Sequence, residues 1–185
     1  MNNNPLIPES KLPALGTTIF TQMSALAQQH QAINLSQGFP DFDGPRYLQE
    51  RLAYHVAQGA NQYAPMTGVP ALREAIADML REAPEHYREL PAFYRERRDL
   101  FIEALRPSRL EILPCEGTYF LLADYSAISD LDDVSFCRWL TTEVGVAAIP
   151  LSVFCADPFP HKLIRLCFAK QPATLLAAAT RLCQL

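Results

Sequence analysis

Leu163-Ile164-Arg165-Leu166-Cys167-Phe168-Ala169 is the stretch on which the fold turns. An apolar run of this length, broken by one charge and bounded by polar residues, reads as a strand. Downstream, Pro172 opens a helix that carries Leu175, Leu176, Ala179 and Leu182 on one face. Upstream, Val146 to Ile149 reads as a short strand. Before it, Asp132 or Asp133 caps a helix over Val134, Phe136, Cys137, Leu140 and Val144, which Gly145 ends. Gly117 to Asp124 reads as a further strand, and Leu110 to Leu113 alternates like one. Residues 81–185 therefore form an α/β unit of about one hundred residues, an ordinary domain size.

The first eighty residues are different. Asn2 to Leu15 should be an extended arm. Thr17 or Thr18 caps a helix over Ile19, Met23 and Leu26. Ala32 to Ser36 is the one short strand of this half, and an irregular loop runs from Gln37 to Pro45. Pro45 starts a helix with Leu48, Leu52 and Val56 on its apolar face. After a loop from Gln58 to Gly68, Pro70 opens another over Leu72, Ile76, Met79 and Leu80. Pro84 breaks the pattern, and Pro91 begins a long helix over Phe93, Tyr94, Leu100, Phe101 and Leu105 that stops at Pro107. The helices and loops of residues 1–80 have no obvious sheet to cover.

Composition narrows the function. With 49% apolar and 19% charged residues, the 185-residue chain is a globular sequence, not a disordered one. A net charge of -4 without a basic block argues against nucleic acid as a partner. No basic, apolar leader and no long apolar run are visible, so membrane insertion is not expected and the cytoplasm is the default. Cys115, Cys137, Cys155, Cys167 and Cys183 include no C-x-x-C pair and sit among apolar residues, which suggests buried free thiols in a reducing compartment. His30, His55, His86 and His161 are scattered, so no metal site is expected.

Several stretches resemble a known family. Asn34-Leu35-Ser36-Gln37-Gly38-Phe39-Pro40-Asp41-Phe42 and Asn61-Gln62-Tyr63-Ala64-Pro65-Met66-Thr67-Gly68 resemble N-terminal segments of the class I/II, fold-type I pyridoxal-phosphate aminotransferases. Within that family the nearest likeness is to methionine aminotransferases and kynurenine (glutamine) transaminases. Gly117-Thr118-Tyr119-Phe120 and Ile164-Arg165-Leu166-Cys167-Phe168-Ala169 resemble the C-terminal small domain of that family. The resemblance implies an α+β small domain preceded by a mostly helical N-terminal arm. It covers nearly every residue here, yet family chains are about twice this long, with a large domain of their own. The large-domain signatures are not found: a glycine-rich phosphate loop, an Asn-Pro segment, an Asp-x-x-Tyr stretch and a Ser-x-Ser-Lys run with the Schiff-base lysine. The large cofactor-binding domain is thus expected to be absent, with a deletion seam at about residues 75–80. The seam lies inside the helix after Pro70 and leaves its apolar register intact.

Arg165 is the strongest single residue. A charge in mid-strand among apolar neighbours needs a partner, and a guanidinium matches a carboxylate with two parallel hydrogen bonds. From the pattern alone, an arginine on an edge strand that reaches solvent is the favoured reading. The resemblance implies that Arg165 grips the substrate α-carboxylate. It implies also that the Gly38 N–H is a second contact, that Phe39 lines the side-chain pocket and that Tyr63 reaches the cofactor phosphate of the other subunit of a dimer. Each has a plain alternative: a turn glycine, a core phenylalanine, a loop tyrosine packed on its ring. Lys11, Lys162 and Lys170 are the only lysines, and none stands in a Schiff-base context.

Three functional readings follow. The chain is a remnant that keeps the carboxylate site, has no catalytic residue of its own, does not hold pyridoxal phosphate alone and is inactive alone. Or it is an active transaminase completed by another chain. Or it is a non-enzymatic module that associates with itself or with a full-length relative.

Overall fold

The computed structural model describes residues 16–157 and 159–185, so the arm from Asn2 to Leu15, with Lys11, lies outside them. The deciding stretch is a strand, β6 (Leu163–Cys167). It lies inside a four-stranded antiparallel sheet of order β2-β3-β6-β5, with β2 at Glu111–Ile112, β3 at Phe120–Asp124 and β5 at Ile149–Pro150. β6 stops at Cys167, but Phe168 and Ala169 stay buried, and the Phe168 N–H donates to the Tyr119 carbonyl. β3 starts later than Gly117 because Thr118 takes a left-handed conformation, φ 62°, which no ladder accommodates.

Two helical layers cover this sheet. α5 (Leu90–Leu105) and α7 (Pro172–Leu182) bury Phe101, Leu105, Leu175, Ala178 and Leu182. α6 (Asp133–Trp139) continues into a π-helical turn, Leu140–Val144, which Gly145 ends at φ 77°. Asp132 is the cap: its carboxylate accepts the Ser135 N–H at 2.9 Å, and that bond lowers its pKa. Fully burying a leucine or phenylalanine contributes roughly 1.5–3 kcal/mol, so the large side chains of this core dominate its stability.

The first eighty residues divide. α1 (Ile19–Gln29), capped by Thr18, buries Met23 and Ala27. β1 (Ile33–Asn34) pairs in parallel with β4 (Val146–Ala147), and the Leu35 carbonyl accepts the Cys167 N–H at 2.8 Å. The expectation that this half has no sheet to cover is therefore wrong for α1 and β1, whose partner strand comes from far along the chain. α2 (Arg46–Ala57) and α3 (Pro70–Glu82) form where the pattern places them, but neither buries a residue. A four-residue helix, α4 (Glu85–Arg88), links α3 to α5. All five cysteines are free, but Cys155 is exposed, a correction to the expectation of buried thiols. Among the described residues no helix is long and apolar enough to cross a membrane, and no group of residues could hold a metal ion.

Candidate carboxylate site

Arg165 pairs with Leu122 on one side and Ile149 on the other, so it stands on an interior strand and the edge-strand alternative is excluded. Strand alternation sends Ile164 and Leu166 into the core and puts the half-buried Arg165 on the other face. Phe120 lies two residues from Arg165's partner Leu122, on the same face of the sheet. The guanidinium carbon sits 3.9 Å from the Phe120 ring centroid, 4.9 Å from that of Phe154 and 5.9 Å from that of Phe20. Arg165 forms no ion pair among the described residues. Its Nε is buried and has no hydrogen-bond partner among the described residues. Burial lowers its pKa, but an arginine keeps its charge at any ordinary pH. A cation held between aromatic rings with an unmet donor can accept a planar anion.

Gly38 shares one wall of this site. A Cβ there would overlap the Tyr119 ring and lie 3.2 Å from Phe120, the residue that also stacks on Arg165. Close packing, rather than an unusual φ, makes glycine necessary. The Gly38 loop is tied down at several points. Gln37 Nε2 donates to the Phe20 carbonyl at 3.0 Å, Lys170 Nζ donates to the Phe39 carbonyl at 2.7 Å, and Asp41 accepts the Gln171 N–H at 2.6 Å. Phe39 is half exposed, and its ring centroid lies 4.8 Å from Lys170 Nζ. The structure thus brings Gly38 and Arg165 around Phe120, with Phe39 beside Gly38. Tyr63 stays apart, on the loop between α2 and α3, with its side chain fully exposed.

The lysines among the described residues do not fit the aldehyde of pyridoxal phosphate. Lys162 Nζ is engaged by Asp130 at 2.6 Å and by the Ser129 carbonyl at 3.0 Å. Lys170 Nζ is buried and engaged by the Phe39 carbonyl at 2.7 Å. Neither described amine is free to meet an aldehyde, and no described partner faces Tyr63. A cavity of about 440 Å³, lined by Tyr87, Tyr94, Arg95, Glu116 and Tyr119 among others, does not include Arg165. The sequence reading missed Phe20, Phe154 and the buried role of Lys170. No local signal marks them, because strand register and long-range contacts bring them together.

Comparison with known proteins shows the family. The family model described as aminotransferase class I and II matches residues 78–182. Methionine aminotransferase of Escherichia coli (strain K12) is 40% identical over 386 aligned positions that take in 100% of both proteins. This chain has 185 residues, which leaves at least 201 of those 386 positions without a residue of it. A solved Escherichia coli structure with a methionine aminotransferase function superposes at a TM-score of 0.85 and 40% identity, covering 98% of this chain and 100% of that one. Kynurenine–oxoglutarate transaminase of Dictyostelium discoideum is 30% identical over 146 residues, 68% of this chain and 34% of its own.

Proposed function

Because the chain belongs to the class I and II aminotransferases, a pyridoxal-phosphate-dependent family, we propose that it keeps a site for the α-carboxylate of an amino or 2-oxo acid and does not transaminate by itself. The observation that carries this reading is the Arg165 guanidinium, boxed by aromatic rings, with a buried donor and no anionic partner among the described residues. Arg165 takes the carboxylate in a forked pair, the Gly38 N–H adds a bond, and Phe39 borders the substrate side chain. Tyr63 has the cofactor-phosphate role only where another chain supplies that phosphate.

Transamination needs the cofactor ring as electron sink, a lysine to move the proton and a grip on the substrate. Of these jobs the chain's own residues supply the grip. Binding a carboxylate away from a reacting partner brings no proximity advantage. The unfilled 201 alignment positions and the family match that begins at residue 78 support a seam at residues 75–80, between an N-terminal part (1–80) and a small α/β domain (81–185). Free cysteines suit a reducing, cytoplasmic setting.

The exposed apolar faces of α2 and α3, on either side of the Tyr63 loop, favour a second reading, in which another copy or a full-length relative covers them and completes an active transaminase. Purified chain supplied with methionine, a 2-oxo acid and pyridoxal phosphate should show no turnover, and borohydride should trap no lysine-linked cofactor. Isothermal titration with 4-methylthio-2-oxobutyrate should show binding that Arg165→Gln removes. Turnover by the pure chain that Arg165→Ala abolishes would overturn the proposal. Co-purification with a full-length aminotransferase, with activity gained on mixing, would select the second reading.

A further inference from the structure

The three rings around Arg165 are not held alike. Phe120 belongs to β3 and Phe20 to α1, both parts of the packed body. Phe154 ends a 3-10 turn, Ser152–Phe154, and is half exposed, so packing alone does not fix it. What anchors that turn is Asp133. One of its carboxylate oxygens accepts the Ser152 N–H at 2.7 Å and the other accepts the Ser152 Oγ–H at 2.7 Å. Among the described residues, hydrogen bonds within Ser152–Asp157 otherwise run only inside the segment or to Leu151.

Asp133 is not needed to start its own helix, since Asp132 already caps α6. It is nonetheless buried, at 6% exposure, without a basic partner among the described residues. Desolvating a carboxylate is costly. Here both of its oxygens are committed to the first residue of the turn whose third residue covers Arg165.

We infer that Asp133 is a positioning residue of the Arg165 site: through Ser152 it holds the Phe154 ring over the guanidinium. The inference rests on the reading of Arg165 as a carboxylate anchor. Phe154 excludes water from one side of the guanidinium, and a charge pair strengthens as its surroundings become less polar. Freeing the turn lets the ring swing away and admits water, with no change to Arg165 itself.

The test uses the full chain, 3-phenylpropionate as probe, and two readouts. One is the dissociation constant. The other is the NMR resonance of the Arg165 Nε–H in the unliganded chain, which lies in the ring current of Phe154. Asp133→Asn and Ser152→Ala should shift that resonance in the direction that Phe154→Leu shifts it. Each should weaken binding by about threefold to tenfold, and neither should weaken it further in a Phe154→Leu background, because coupled residues are not additive. An unmoved resonance, or an equal loss of affinity with and without Phe154, would overturn the assignment. If Asp133→Asn fails to fold, Ser152→Ala, which keeps the backbone bond, decides alone. If the unaltered chain does not bind the probe, the carboxylate reading falls, while the unliganded resonance still decides the role of Asp133.

Discussion

α7 and α3 carry equally plain apolar stripes, and only one of them is covered. Leu175, Ala179 and Leu182 of the expected α7 face, with Ala178, are at most 2% exposed, and of that face Leu176 alone is exposed, at 45%; Leu72, Ile76, Met79 and Leu80 of α3 are each at least 40% exposed. α2 repeats the second case, with Leu52 at 66%. An amphipathic pattern records that a face is made for a partner. It does not record whether the partner is on the same chain. The relative's alignment has at least 201 positions that this chain leaves empty.

The sharpest way to break the comparison is amide hydrogen exchange. Local opening spans from almost no free energy at poorly packed elements up to the global value in core strands. Amides of β3 and β6 should exchange about a thousandfold or more slowly than those of α2 and α3. Limited proteolysis should cut first at Arg51, Arg73 or Arg81. Equal protection across Arg46–Glu82 and the sheet would mean that a second copy already covers both helices.

Leucine truncation sharpens the contrast. Leu121 on β3 is wholly buried, and Leu121→Ala should cost about 3 kcal/mol in urea unfolding. Leu52→Ala on α2 should stay within about 0.5 kcal/mol, because no cavity forms at an exposed position. A large cost at Leu52 would reveal packing by self-association.

How much of this could be read from the sequence follows the same divide. Elements fixed by local chemistry were legible: proline at the starts of α3, α5 and α7, the Thr18 cap, and the stop at Gly145. So was the singularity of Arg165, a charge with no sequence neighbour to pair with. What depends on register was not legible. The pairing of β1 with β4 spans more than a hundred residues, and it moves α1 and β1 into the core. Asp130, Asp132 and Asp133 lie within four residues, and the sequence reads Asp132 or Asp133 as a helix cap. In the fold the three part company, to Lys162, to the α6 cap and to Ser152. Three adjacent carboxylates do three jobs, and only the cap is a local one.

That cap gives a smaller prediction. Asp132→Ala should destabilise the chain by about 1 kcal/mol, because α6 is part of the cooperative core. α2 begins at Pro45 with no side-chain cap bond, yet Pro45→Ser should leave the global unfolding midpoint in place, since α2 contributes little to it. A matching shift at both sites would remove the distinction between the two regions.

The smallest effect concerns Lys170, the buried amine that ties the Gly38 loop to the packed body. Burial sets its folded pKa below the ordinary 10.5. Between those two values the folded chain has released a proton that the unfolded chain still holds, so stability rises with pH across that window and is flat below it. Tyr125 acts in the opposite sense. Burial raises its folded pKa above the ordinary 10.0, so its stabilisation is lost only as alkali ionises the unfolded phenol. Comparison with Lys170→Met cancels the tyrosine and leaves a constant offset for the lost bond to the Phe39 carbonyl. The stability of the unaltered chain relative to this variant should therefore climb as pH approaches 10.5. A difference that stays level there would show that the amine is hydrated, and that the Gly38 loop belongs with the open α2–α3 region rather than with the core.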